Sequence, residues 1–362
     1  MINVLVTCVN YPHGDVHPMQ YVHVRNKYYI KQGLNVIVLN FNANDCYTYE
    51  GVEVITYEYF KKNAHMYYDY FLICHAPNIR NHYIFLKKYG NLFKKHMLFF
   101  HGHEIVKISE MYGTPYPYKR KSKIKTRIRD FYDSYKIKTW KRYIQRNPDE
   151  ICVFVSNSLY KDFLNYTGLT GVDIKNKIFI INNAISSLFE IEKYNYYIDK
   201  KYDFITIRSD MDNSIYCLDL ISDVAKKNSN MSFLVIGEGS YYRYNDKPDN
   251  ITWIEGQMNH NEMLSYIDSA KYALMPTRRD SQGLMSCELA SYGIKVFTSN
   301  LEVCHEMFDD FENVILLSED EMMKYDFKKE PYEEYVNINN KFYSNNTIKK
   351  EVELIKKEVL GE

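Results

Sequence analysis

Twelve short, unbroken apolar runs, separated by segments of helical length, limit what this chain can fold into more than any other feature. Six lie in the first half, at residues 4–8, 36–39, 70–74, 97–100, 151–155 and 178–181. Six more follow at 204–207, 232–236, 251–254, 272–275, 295–298 and 314–317. Runs of about four to six apolar residues without polar alternation suit strands buried on both faces. Helical candidates lie between them at 19–31, 79–89, 218–227, 262–270 and 283–292. Strands alternating with helices predict an α/β protein with parallel sheets and right-handed crossovers. The pattern restarts near residue 203, after a polar stretch at 186–201 that has no clear period. This predicts two doubly wound domains, 1–187 and 188–338, joined by a linker and followed by an amphipathic helical tail, 339–362. Ligands of such sheets sit outside the carboxyl ends of the strands. Two domains facing each other in that way enclose a cleft.

Composition removes several classes. A chain of 362 residues buries an adequate core without disulfides or metals. Hydrophobic residues at 46% and charged residues at 25% exclude wholesale disorder. The seven cysteines are odd in number, form no CxxC pair and sit mostly inside apolar runs. They read as reduced core thiols, not as zinc or redox ligands. No stretch reaches the roughly 20 apolar residues needed to cross a bilayer. The opening run from Met1 to Cys8 carries no basic leader, so a cytoplasmic chain is expected.

One segment carries distinctive chemistry. It reads Ala273-Leu274-Met275-Pro276-Thr277-Arg278-Arg279-Asp280-Ser281-Gln282-Gly283-Leu284-Met285-Ser286-Cys287-Glu288-Leu289-Ala290-Ser291-Tyr292-Gly293. A strand ends at Met275, a polar loop follows, and a helix runs from about Gly283 to a C-terminal cap at Gly293. The unpaired amides at the helix start, from Gly283 through Leu284 and Met285, favour a diphosphate. Glycine there lets the ligand approach the backbone. Glu288, about one and a half turns in, is placed to accept hydrogen bonds from vicinal ribose hydroxyls. Asp280, ahead of the helix, is placed to bind sugar hydroxyls.

This segment resembles the retaining GT-B glycosyltransferases that carry a Glu-x7-Glu donor motif (the glycosyltransferase family 4-like, or group 1, set), with Asp in the first position here. Other matching segments are Asn10-Tyr11-Pro12-His13-Gly14-Asp15, Phe99-Phe100-His101-Gly102-His103-Glu104 and Val235-Ile236-Gly237-Glu238-Gly239. The resemblance spans about residues 3–317; its central motif is specific and the flanking ones are individually weak. It implies the GT-B fold: two Rossmann-like doubly wound domains facing across a cleft, with the C-terminal helix returning to the first domain. It also implies transfer of a sugar from a nucleoside-diphosphate sugar to a glycan or lipid-linked glycan, in bacterial surface polysaccharide biosynthesis. Its implied site has His101 and Asp280 against the transferring sugar. Arg208, Gly237, Arg278, Gly283, Leu284, Met285 and Glu288 bind the donor, and Gly14 and Asp15 form an acceptor-side loop. No metal and no cofactor is implied.

The chain also departs from that pattern. Members place an Arg and a Lys, five or six residues apart, against the diphosphate. Here Arg208 is present, but Asn213, Ser214 and Tyr216 stand where the Lys belongs. Arg278 or Arg279 is a candidate replacement. Two rivals therefore stay open: a GT-B-shaped binding or scaffold protein without turnover, and a nucleotide-sugar epimerase. An NAD-dependent dehydrogenase is disfavoured, because the first strand-to-helix turn has no GxGxxG. Of His101 and His103, two residues apart, only one faces the site if the strand continues through them; Glu104 is a candidate to orient either ring.

Charge is uneven although the net charge is zero. Residues 119–146 hold 12 Lys/Arg and 2 Asp/Glu. Apolar residues recur there at helical spacing, at Ile124, Ile128, Phe131 and Tyr132, then Ile137, Trp140 and Ile144. Three readings compete: docking on an anionic membrane, nucleic-acid binding, or a helix whose apolar stripe packs on the first sheet. Packing combined with peripheral membrane contact is preferred, and nucleic acid is not expected because no recognised module accompanies the segment.

Overall fold

A computed structural model describes every residue except Asp15, His17, Lys121, Gln257, Asn259, Val336 and Glu362. The chain divides into two compact units. The first comprises Met1–Ile108, Ile128–Ala184 and Lys341–Glu362, and the second Ser109–Arg127 and Ile185–Asn340. Each is an α/β unit built on one sheet, and the pair has the GT-B architecture.

The strands of the first unit are β1 (Asn3–Cys8), β2 (Asn35–Asn40), β3 (Tyr47–Tyr49), β4 (Val52–Thr56), β5 (Phe71–His75), β6 (Lys95–Phe100), β7 (Ile151–Phe154) and β8 (Lys177–Ile180). Their order across the sheet is β3-β4-β2-β1-β5-β6-β7-β8. All neighbours are parallel except β3 and β4. The second unit contains β9 (Tyr202–Ile207), β10 (Phe233–Ile236), β11 (Ile251–Ile254), β12 (Ala270–Met275), β13 (Lys295–Ser299) and β14 (Val314–Leu317). These form an all-parallel sheet in the order β11-β10-β9-β12-β13-β14. Each of the twelve apolar runs is a strand. Central strands such as β5, β7, β10 and β13 are buried at every position, as parallel strands covered on both faces must be.

The sequence reading missed the hairpin β3–β4. Its turn residues Glu50 and Gly51 both have positive φ, 44° and 83°, the geometry of a tight hairpin turn. In β4 the exposed Glu53 lies between buried Val52 and Val54, so no unbroken apolar run marked it. The expected 186–201 linker is also packed structure. Tyr194 is buried, its N–H donates to Tyr292 O at 2.9 Å, and Tyr196 Oη donates to Gly293 O at 2.6 Å. Tyrosines anchored by their hydroxyls gave no apolar period to read. The expected 1–187 domain is interrupted as well: residues 109–127 belong to the second unit, and the division falls within the helix Lys123–Arg146. Tyr116 Oη donates to Asp219 at 3.1 Å and Tyr118 Oη to Asp212 at 2.8 Å, with Tyr118 stacked 4.5 Å from Tyr244.

The C-terminal helix Ile348–Leu360 packs in the first unit through a fully buried charge pair. Arg25 Nε donates to Glu351 Oε1 at 3.1 Å, and neither side chain is exposed. Tyr29 Oη donates to the other carboxylate oxygen, and the guanidinium lies 4.5 Å from the centre of the Phe99 ring. Breaking such a pair leaves an uncompensated buried charge, at about 3–5 kcal/mol. Glu351→Ala is therefore expected to lower the urea-derived unfolding free energy by about that amount. Glu351→Gln, which keeps a partner for Tyr29, should cost less.

Candidate functional site

Sheet topology places the second unit's site. From β9 the chain builds outward through β10 and β11, then returns to add β12, β13 and β14 on the other side. The order reverses between β9 and β12, and a ligand crevice opens beyond their carboxyl ends. Arg208 follows β9 directly, Gly237 follows β10, and the loop 276–283 follows β12.

Gly237 locks two of these loops together. Its φ is 156°, and a Cβ there would lie 1.9 Å from Arg208 O; no side chain fits. Next to it, Met211 N–H donates to Glu238 O at 2.7 Å. In the third loop, Asp280 Oδ1 accepts the amides of Ser281 (2.7 Å) and Gln282 (3.2 Å). Gly283 follows at φ 73°, a left-handed conformation that starts the helix Leu284–Tyr292. The first bond onto the helix runs from Cys287 N to Gly283 O at 3.0 Å. The amides of Leu284, Met285 and Ser286 thus have no intrahelical acceptor, and the helix dipole adds positive potential there.

Arg208 sits among these elements, 6% exposed. One Nη donates to Pro276 O at 2.5 Å, and the guanidinium lies 4.9 Å from the centre of the Tyr216 ring. Its Nε has no hydrogen-bond partner, and among the described residues no carboxylate ion-pairs with it. Burial lowers its pKa. Burial is opposed by nearby groups that include the Asp280 carboxylate, which acts on Arg208 without ion-pairing to it. A buried guanidinium with no direct carboxylate contact is costly, and an anion placed at it offsets that cost.

Glu288 is 4% exposed, and among the described residues its Oε1 accepts the Ser186 amide, at 3.1 Å. Burial pushes its carboxyl up to about 7, with the Ser186 hydrogen bond opposing.

Arg278 requires a correction. Its guanidinium makes five hydrogen bonds: two to Asp219, two to Glu319 and one to Ser214 O, all between 2.8 and 3.1 Å. A guanidinium has five N–H groups, so none is left for a diphosphate. Arg278 instead pins the loop before Asp280, and its own amide donates to Ile215 O at 2.8 Å. The candidate replacement for the missing Lys is thereby reduced to Arg279, which is half-buried.

In the first unit the strand order reverses between β1 and β5. A cavity of about 470 Å³ lies at their carboxyl ends, lined by Val9, Asn78, His101, His103, Arg129 and Tyr132 among others. Its lining includes Ala76, a non-glycine residue at φ 48°. The His101 ring stacks on Phe99 at 4.9 Å, lies 4.5 Å from Tyr21 and contacts His75 at 3.2 Å. Burial, then the nearby Arg25 charge, holds its pKa well below the usual histidine range, so the ring is neutral at pH 7. His103 lines the same cavity, against the expected alternation: β6 ends at Phe100 and the chain turns at Gly102, φ 149°. Glu104 orients no imidazole. It accepts the amides of His101 (3.1 Å) and Gly102 (2.6 Å) and so fixes the turn. Gly14 occupies an exposed turn at φ 51°; Asp15 lies outside the described residues.

The structure thus places Arg208, Gly237, Asp280, Gly283, Leu284, Met285 and Glu288 in the second unit, and His101 and Gly14 in the first, where Gly14 is not among the residues that line the His101 cavity. Sequence reasoning missed Tyr216 under Arg208, and Arg129, Tyr132 and Lys136 in the cavity wall. Their i, i+3, i+7 spacing on a helix was the available signal. Among the described residues no group of three or more His, Cys, Asp or Glu is arranged to hold a metal.

No protein-family model matches the sequence, and none of the curated proteins compared matches it. Solved structures do match. TarM superposes with a TM-score of 0.66 at 11% identity, covering 98% of this chain and 99% of its own. The catalytic domain of starch synthase IV from Arabidopsis thaliana, bound to ADP and acarbose, gives 0.66 at 11% identity and 99% of each chain. WaaG, a glycosyltransferase involved in lipopolysaccharide biosynthesis, gives 0.58 at 12% identity, with 89% of this chain and 88% of that one covered. At such identities the likeness is one of fold.

Two measurements probe this geometry. Gly237→Ala forces backbone to move and is expected to cost about 1–3 kcal/mol in denaturant unfolding. For Glu288, a carboxyl with a raised folded-state pKa binds its proton more tightly folded than unfolded. Its unfavourable contribution is absent below the unfolded value, grows as pH rises, and is complete above about 7. Between pH 5 and 8 the native chain should lose about 2–3 kcal/mol more than Glu288→Gln. Parallel pH profiles would show that Glu288 is not held protonated by its site.

Proposed function

We propose that this chain is a retaining glycosyltransferase that moves a sugar from a nucleoside-diphosphate sugar to a glycan or lipid-linked glycan. We place the reaction in the bacterial cytoplasm, during surface polysaccharide assembly. The carrying observation is Arg208, a buried cation that makes no ion pair among the described residues, in the unit whose helix Leu284–Tyr292 begins with amides that have no intrahelical acceptor. Arg208 and the amides of Leu284 and Met285 hold the diphosphate. Glu288 accepts from the ribose diol, Gly237 lets the nucleotide approach the backbone, and Asp280 and His101 address the transferring sugar. The bond from the anomeric carbon to the diphosphate oxygen breaks. A bond to the acceptor oxygen forms on the same face, and the acceptor proton passes to the leaving diphosphate. No carboxylate nucleophile is assigned; the protein positions the reactants and stabilises charge. In this reading Arg208 and the helix start neutralise the diphosphate without a divalent ion. The fold shared with WaaG and starch synthase IV and seven free thiols, which fit a reducing compartment, support it.

A second reading, a binding protein without turnover, is favoured by one observation. Arg278, a candidate substitute for the missing diphosphate Lys, is fully engaged elsewhere. A thermal-shift screen of UDP, GDP, ADP, CDP and TDP tests both readings. One ligand at about 100 times its Kd should stabilise by about 2.7 kcal/mol, and Arg208→Gln and Glu288→Ala should weaken that gain. Unchanged melting with all five nucleotides removes the donor site. Binding without donor hydrolysis or transfer selects the second reading, and donor conversion without acceptor selects an epimerase. Chelator-insensitive transfer is the expected outcome for metal.

A further inference from the structure

The helix Lys123–Arg146 divides its apolar residues between two faces. Ile137, Trp140 and Ile144 are buried, together with Asp133 and Lys136. Ile128, Phe131 and Tyr135 point outward and are 64%, 78% and 56% exposed. The outward row continues at the same three- and four-residue spacing through Lys138 and Arg142, both exposed. The apolar residues, for which packing combined with membrane contact was expected, thus form two surfaces, and the outer one is exposed. On its flank, two guanidiniums lie near the Tyr132 ring, Arg80 at 5.6 Å and Arg129 at 5.7 Å from its centre. Arg129 and Tyr132 also line the 470 Å³ cavity. Asp133 holds Arg129 through Nε alone (3.3 Å), and Arg80 makes no ion pair among the described residues.

We infer that this outer row docks on an anionic lipid bilayer, and that Arg80 and Arg129 meet lipid phosphate at the cavity beside it. An exposed apolar row calls for an apolar phase to cover it, and the cations that continue it call for an anionic surface. A second copy of this chain is a poor occupant, since a self-complementary contact would bring Lys138 and Arg142 near their own equivalents. Docking places the cavity wall formed by Tyr132 and Arg129 next to lipid headgroups. This specifies the acceptor as a phosphate-bearing lipid. That last step rests on the proposed glycosyl transfer; the docking itself does not.

The test is co-sedimentation of the full chain with phosphatidylcholine vesicles, with and without about 30% phosphatidylglycerol. Binding is expected only with the anionic lipid and should fall steeply as salt rises from about 0.1 M to about 1 M. The pair Ile128→Ser, Phe131→Ser should abolish it. The pair Lys138→Gln, Arg142→Gln should weaken it about 30-fold, at about fivefold per cation. Arg80→Gln, which removes one cation, should weaken it about fivefold. The nucleotide-induced thermal shift of each variant reports an intact fold and an intact donor site separately from docking. Failure to bind anionic vesicles overturns the proposal, as does equal binding to both vesicle types or parent-like binding by both double variants. So does concentration-dependent self-association that Phe131→Ser removes in the absence of lipid.

Discussion

Parallel pairing is the constraint on which the rest of this structure depends. Parallel neighbours cannot be joined by tight turns, so each strand must be followed by a crossover that returns the chain to the same starting edge. All the parallel strands of a sheet then end on one side, and so do the loops that follow them. In the second unit this alone brings Arg208, Gly237 and the 276–283 loop together from segments up to about 70 residues apart. In the first it brings Val9, Ala76 and His101 to one cavity. The order reversals at β9/β12 and at β1/β5 then decide where each crevice opens.

Three arginines show how surroundings set the use of one side chain. Arg25 is buried against Glu351 and serves to hold the C-terminal helix. Arg278 spends all five donors on Asp219, Glu319 and Ser214 O, and so stiffens a loop. Arg208 is buried against a ring and a carbonyl, and among the described residues no carboxylate ion-pairs with it. Only the last makes no ion pair among the described residues, with Asp280 acting on it from beyond contact, and it lies in the unit where the amides of a helix start have no intrahelical acceptor. The distinction depends on which acceptors lie within about 3 Å, and no property of the arginines themselves expresses it.

Much of the donor segment was legible in the sequence because its signals are local. A strand end, a glycine, a helix and a C-terminal cap occur within 21 consecutive residues, 273–293, and Gly283 and Gly293 both take the left-handed conformations those positions require. The hairpin at β3–β4 was not legible, since Glu53 interrupts its apolar pattern. Neither was the packing of residues 186–201, where tyrosine hydroxyls bond to backbone carbonyls. The alternation expected of the histidine pair required a strand running through both, and the strand stops at Phe100. Glu104 ends it by capping the amides of His101 and Gly102.

By itself the sequence determined the α/β class, the two sheets, all twelve of their main strands and the placement of a helix start behind a polar loop. These follow from hydrophobic periodicity and from the backbone preferences of glycine, which act over a few residues. Tertiary structure decided the rest: that residues 109–127 join the second unit, that Arg278 is occupied and Arg208 is not, and that Ile128 and Phe131 face outward while Ile137 and Trp140 face in. Burial and ion pairing are relations between segments far apart in the chain. They take a definite value only once the fold has brought those segments together.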